Sequence, residues 1–343
     1  MPGYTYQAMN RLRAVALLVG MGLPAALTFA CGGRTGLLLP GTSTDKPQRD
    51  SGSPGEDAAT EDAGEDVVEE PDTAIPPIDA NLPDVPVVPM CADASDTLIY
   101  AVTTSNTLLR FNPTSAQFAV IGVLDCQDPY GRNPFSMAVD RGGAAYVLYS
   151  EYDNGTFPPP PPGNIFRVDL NDATCSPTAY IAGQQGFTSF GMAFVADTND
   201  LNETLYVASD DAPGRLGAID EATLTLSLVG QFNPPIQGAE LTGTGDGRLF
   251  GFYAATPLGP TSVLAQIDKA SATVIGATPL PTVNQGGAWA FAFYGGAFYL
   301  FTSPDDATSI VTRYDPTTGS LTNVATYPEE IDGAGVSTCA PER

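Results

Sequence analysis

The chain has 343 residues, with 14 Lys+Arg against 39 Asp+Glu, a net charge of −25 and no histidine. The missing imidazole excludes Ser-His-Asp and Cys-His nucleophile pairs, histidine-bound zinc, copper or haem, and a histidine pH switch. The acidic balance speaks against phosphate recognition by clustered Lys and Arg, so no nucleic-acid partner is expected.

Residues 1–30 read as an export signal. Arg11 and Arg13 precede Ala14 to Ala30, an uncharged apolar run of 17 residues interrupted by Gly20, Gly22 and Pro24. Such a run is short for a membrane span but suits a signal peptide. It ends in Thr28-Phe29-Ala30-Cys31-Gly32-Gly33. This junction resembles the lipobox of bacterial lipoproteins, in which a small residue precedes a Cys that is lipidated and becomes the mature N-terminus. The resemblance implies lipidation at Cys31. It also implies an outer-membrane destination, because Gly32 stands where an Asp would retain the protein at the inner membrane. Plain secretion or an uncleaved anchor is the alternative.

Residues 31–90 read as a disordered acidic and Pro-rich tether. From 41 to 90 there are thirteen Asp/Glu against Lys46 and Arg49 only, a net of −11, with no aromatic residue. Such a stretch cannot bury enough apolar surface to offset its conformational entropy, and it repels itself. Its last part (IPPIDANLPDVPVVP) favours a stiff polyproline II spacer.

Residues 91–343 repeat one pattern five times: an apolar strand, a strand with an aromatic near its start, a strand ending in Asp or Asn, and a last strand. The aromatics are Tyr100, Tyr146, Tyr206, Phe250 and Tyr299, spaced by 46, 60, 44 and 49 residues. Four-stranded units of this length match propeller blades, so the expected fold is all-β, a five-bladed β-propeller. Blade 1 lacks its innermost strand. The segment Gly333 to Thr338 follows blade 5 where such a strand belongs, so it is expected to pair into blade 1 and close the ring.

Cys91, Cys126, Cys175 and Cys339 make an even count in an exported chain, which reads as two disulfides. Ring closure places Cys339 beside Cys91 and leaves Cys126 with Cys175. The residues that end the third strands (Asn112, Asp169, Asp220, Asp268, Asp315) are read as turn-formers, because an Asx side chain can bond the backbone two residues on. With these motifs on the page, the chain resembles secreted bacterial β-propeller-repeat proteins with an LY-x-hydrophobic … hydrophobic-x-x-D-x-x-T signature. The Cys-Gly-Gly and the acidic spacer resemble lipoproteins of the myxobacterial type.

Propeller ligands usually bind where each last strand loops to the next innermost strand. Those loops and strand starts carry Arg132, Asn133, Gln185, Gln237, Glu240, Gln285, Trp289 and Asp332, the candidate binding residues. Carboxylates, amides and the chain's single tryptophan suit a sugar- or peptide-like ligand. The run Phe157 to Pro162 (FPPPPP) is a rigid rod that suits docking or a lid. The expected role is non-catalytic binding or scaffolding, with a lipid-mediated membrane partner and an envelope protein or glycan as ligand. No catalytic residue, metal or cofactor is assigned. The alternative is a carboxylate-dependent glycan hydrolase using Asp128, Glu240 and Asp332.

Overall fold

The structure is a computed structural model that describes residues 91, 97–151, 157–197, 202–256, 259 and 261–343. The expected signal peptide, Cys31 and tether lie outside these residues. In chain order the strands are β1 (Ile99–Thr103), β2 (Thr107–Asn112), β3 (Gln117–Val123), β4 (Asn133–Val139), β5 (Ala144–Ser150), β6 (Asn164–Asp169) and β7 (Cys175–Pro177). They continue with β8 (Phe190–Ala196), β9 (Glu203–Ser209), β10 (Arg215–Ile219), β11 (Leu226–Gln231), β12 (Glu240–Gly243), β13 (Leu249–Ala254) and β14 (Ser262–Asp268). The last are β15 (Thr273–Leu280), β16 (Trp289–Tyr294), β17 (Ala297–Thr302), β18 (Ser309–Asp315), β19 (Ser320–Tyr327) and β20 (Ile331–Gly335). Among the described residues no helix is long and apolar enough to cross a membrane.

These strands form five antiparallel four-stranded sheets, ordered β20-β1-β2-β3, β4-β5-β6-β7, β8-β9-β10-β11, β12-β13-β14-β15 and β16-β17-β18-β19. The innermost strands β20, β4, β8, β12 and β16 contact one another in a closed cycle. The fold is a five-bladed β-propeller. The repeat aromatics show why neighbouring blades adhere. Tyr100 packs against blade 2, Tyr146 against blade 3, Tyr206 against blade 4, Phe250 against blade 5 and Tyr299 against blade 1. The Tyr146 and Phe194 rings, for example, lie 5.4 Å apart edge to face. Burying each large ring contributes roughly 1.5–3 kcal/mol, so one recurring sequence position glues each blade to the next.

Five blades make a tight ring, and the inner strands carry small residues where backbones meet. A Cβ on Gly191 would sit 2.2 Å from the Ala239 carbonyl oxygen, and one on Gly243 would sit 2.0 Å from that of Phe194. Only glycine permits such an approach. The axis is accordingly nearly closed: a cavity of about 10 Å³ lies among Met137, Met192, Thr242 and Ala334, room for about one water.

The closing strand pairs antiparallel with β1, Tyr100 opposite Gly335 and Val102 opposite Gly333. It starts at Ile331 and ends at Gly335, two to three residues earlier than the expected Gly333 to Thr338. The reason is the turn that follows. The Ala340 N–H donates to the Ser337 carbonyl at 2.9 Å, which brings Cys339 back to Cys91 with their Cα atoms 5.0 Å apart. The second disulfide joins Cys126 to Cys175, ahead of β4 and in β7. Two disulfides mark a chain that folds in an oxidising compartment.

The Asx positions set turns. The Asp220 carboxylate accepts the Thr223 N–H at 2.8 Å and its hydroxyl at 2.7 Å. Asn112 accepts the Thr114 and Ser115 N–H groups, Asp268 the Ala270 N–H, and Asp315 the Thr317 N–H. Asp169 takes the Asn171 N–H in its longer turn.

Candidate functional site

One face of the ring gathers the loops that enter each innermost strand and the loops between second and third strands. Glu240 opens β12 here. Ser136 reaches it from β4, where a register shift between Pro134 and Ser136 inserts an extra residue and re-aims the strand. The Ser136 hydroxyl donates to Glu240 Oε2 at 2.8 Å, and the Met192 N–H on β8 donates to Ser136 Oγ at 3.0 Å. Three blades are thus tied at the mouth by one side-chain relay.

Glu240 is only 5% exposed. Burial pushes its carboxyl well above the usual range; the Ser136 hydrogen bond opposes this, and the nearby charges of Asp332 and Asp210 push the same way as burial. Asp210 follows β9 and is lifted to about 6 by burial, with help from Asp211. The mouth therefore holds Asp210 and Asp332 within electrostatic reach of Glu240. Gly238 separates two of its walls. A Cβ there would lie 3.2 Å from Asp210 Oδ1 and 3.7 Å from the Trp289 ring, at a φ of +61° that suits glycine.

Buried donors around the mouth lack acceptors. Trp289 Nε1, Gln285 Nε2 and Ser189 Oγ have no hydrogen-bond partner, and Tyr180 Oη is the only other such atom among the described residues. Ser189 adjoins Asp210, whose N–H donates to the Ser189 carbonyl at 3.0 Å. Buried polar atoms are nearly always paired, so three orphans on one rim are unusual. The rim toward blade 1 is acidic. A Cβ on Gly287 would fall 2.6 Å from Asp306 Oδ1 and 3.0 Å from Glu330 Oε1, and Ser105 donates to Glu329.

The other expected binding residues have different surroundings. The Arg132 guanidinium donates to Asp128 (Nη2 to Oδ1 at 2.6 Å) and to the Pro161 and Pro162 carbonyls at 2.9 and 2.7 Å. It anchors the polyproline run and has no free donor edge. Asn133 is exposed at the start of β4, Gln185 is exposed in the 3₁₀ turn Gln184–Gly186, and Gln237 is half-buried beside Gly238. The Gln185 carbonyl accepts from Arg215 at 2.8 Å. Gln285 (4% exposed), Trp289 and Asp332 remain around the mouth with Glu240.

Of the set Asp128, Glu240 and Asp332, the first is engaged in an ion pair with Arg132 at 2.6 Å. Burial would raise the Asp128 carboxyl, but hydrogen bonds from Arg132 and Asn164 hold it down to about 2. The carboxylates that reach Glu240 are Asp332 and Asp210. Asp210 follows β9, outside the loops that enter the innermost strands and in which ligand residues are expected. The signal available was an acidic pair, Asp210-Asp211, ending a second strand whose loop opens on the same face. Among the described residues no group of His, Cys, Asp and Glu is disposed to hold a metal ion.

No protein-family model and no curated protein matches the chain. Solved structures with some similarity include a protein from Lactobacillus plantarum, at 15% identity and TM-score 0.34 over 67% of this chain and 66% of that one. The Dos1 propeller is similar at 11% identity and TM-score 0.37 over 71% of each chain. An exo-β-1,3-galactanase from Phanerochaete chrysosporium is similar at 12% identity and TM-score 0.41, covering 59% of this chain and 52% of that one. The chain thus spans less than two thirds of the Lactobacillus protein and about half of the galactanase.

Proposed function

We propose that this chain is a non-catalytic binding propeller of the bacterial cell envelope, held at the outer membrane by a lipid on Cys31 and raised from it by the acidic stalk 31–90. Its mouth takes a neutral, hydroxyl-rich ligand such as a glycan segment. One observation carries this reading: the buried donors of Trp289, Gln285 and Ser189 lack hydrogen-bond partners on the face where Glu240 opens β12. Sugar hydroxyls both donate and accept, so one ligand can satisfy the orphan donors and also hydrogen-bond a carboxyl in either protonation state. The indole supplies an apolar platform. The acidic rim repels anions.

A second reading is glycan hydrolysis, favoured by a raised carboxyl next to two further carboxylates. Glu240 weakens it, because its carboxyl is built into the wall by Ser136. Calorimetric titration of a panel of neutral oligosaccharides tests both. Binding that Trp289→Ala abolishes, with no reducing ends released, supports the binding reading. Absence of binding across the panel, or release of reducing sugar that Glu240→Gln stops, overturns it. For the anchor, Cys31→Ser protein is expected in the soluble exported fraction. Its retention in membranes would count against lipidation.

A further inference from the structure

Away from the axis, between the first and second blades, Asn106 and the loop entering β4 enclose a groove of about 280 Å³. That volume lies near the lower bound of small-molecule pockets. Its lining includes Leu124, Cys126, Asp128, Arg132, Asn133 and Tyr149, and none of the mouth residues.

The walls are fixed by covalent and ionic ties. Cys126 is bonded to Cys175, and Asp125 accepts the Cys175 N–H at 2.9 Å. The Arg132–Asp128 pair, with side chains 3% and 2% exposed, neutralises its own charges. The Asn164 amide donates to the same Asp128 at 3.1 Å. Against this rigid wall stand unused polar groups. The Tyr149 hydroxyl donates to Asn106 Oδ1 at 2.7 Å, which leaves the Asn106 Nδ2 donors and the phenol lone pairs free. The Asn133 carboxamide is exposed at the rim. Tyr130, 62% exposed and next in sequence to the lining residue Gly131, has the Arg132 guanidinium 4.9 Å from its ring centroid.

We propose that this groove is a second binding site, for one neutral hydroxylated ring such as a monosaccharide or a terminal sugar, held by the Asn106 and Asn133 amides and the Tyr149 phenol. A bound anion would meet Asp125 with no free cation to offset it, because the Arg132 charge is taken up by Asp128. A neutral polyol avoids that penalty. The proposal stands without the reading of the mouth, since the two sites share no residue.

Saturation-transfer NMR on the full chain with millimolar glucose, galactose and N-acetylglucosamine tests it. Transfer to at least one sugar is expected from wild-type protein. Asn133→Leu, at an exposed position, replaces the amide with an apolar group of similar shape and abolishes the transfer that remains in Trp289→Ala protein. Tyr149→Phe keeps the ring and weakens affinity about tenfold, the effect of one lost hydrogen bond. Trp289→Ala removes the contribution of the mouth and leaves the transfer that the groove supplies. No transfer from wild type, no transfer from Trp289→Ala protein, or transfer in that protein that neither Asn133→Leu nor Tyr149→Phe lowers would overturn the proposal; loss in Trp289→Ala alone would assign binding to the mouth instead.

Discussion

The Ser136 hydroxyl on blade 2 donates to the Glu240 carboxyl on blade 4 at 2.8 Å, across the mouth of the ring. Ser136 is wholly buried and Glu240 nearly so, and the hydroxyl also takes the Met192 N–H. Removing it leaves a buried carboxyl and a backbone donor without partners. Ser136→Ala is expected to lower unfolding stability by roughly 1–3 kcal/mol, read from denaturant midpoints at constant m-value. A change within error would mean that the relay contributes nothing.

The ring is closed by the Cys91–Cys339 bond, whose partners are 248 residues apart. Chain-entropy estimates give about 5 kcal/mol for a loop of this size. The double variant Cys91→Ser, Cys339→Ser should lose several kcal/mol of stability, with a clear fall in Tm. The same Tm in variant and wild type would show that the β1–β20 pairing holds the ring by itself.

Two glycine substitutions separate packing from chain entropy. Gly191→Ala drives a methyl into the Ala239 carbonyl and should be severely destabilising, by more than about 3 kcal/mol, or prevent folding. Gly276→Ala meets nothing within 4 Å and should be neutral or slightly stabilising. Thermal melts of both proteins provide the comparison; equal stability would contradict the close approach of the inner strands.

Glu203, on the opposite face from the mouth, accepts the Arg141 N–H at 2.6 Å and the Thr338 hydroxyl at 2.7 Å. Burial nevertheless lifts its pKa from the ordinary 4.5 to about 7. A folded-state pKa above the unfolded one gives stability that is full below about pH 4.5 and lost as pH rises through 7, by about 3 kcal/mol at most. Asp210, raised to about 6, acts in the same direction. Wild-type protein should therefore be more stable near pH 5 than near pH 8, and Glu203→Gln should flatten part of that slope. A variant slope as steep as the wild type's would clear Glu203 of this role.

Much of the fold was legible because its determinants are local or periodic. The aromatics from Tyr100 to Tyr299 recur once per blade, and each meets the following blade. Asp220 and Asn112 carry their turn chemistry within three residues. The disulfide partners followed from ring closure, a topological constraint readable from the missing first strand. The limits of β20 were less clear, since Gly333 to Thr338 and Ile331 to Gly335 have equally small, strand-compatible residues. The turn at Ser337 settles them. The site was legible only in part. Glu240, Trp289, Gln285 and Asp332 stand around the mouth, but Arg132 turned inward to pin the Pro161 and Pro162 carbonyls.

By itself the sequence determined the blade number, the strand order, the turns and the cysteine pairs, because repeat period and nearest-neighbour chemistry are written along the chain. Only the tertiary structure decided which polar groups meet. Ser136 and Glu240 are 104 residues apart, and Arg132 lies 29 from Pro161. Whether a carboxyl is buried, paired or facing another charge depends on the ring's closure and on a single bulge after Pro134, and neither burial nor electrostatic neighbourhood has a period that a sequence displays.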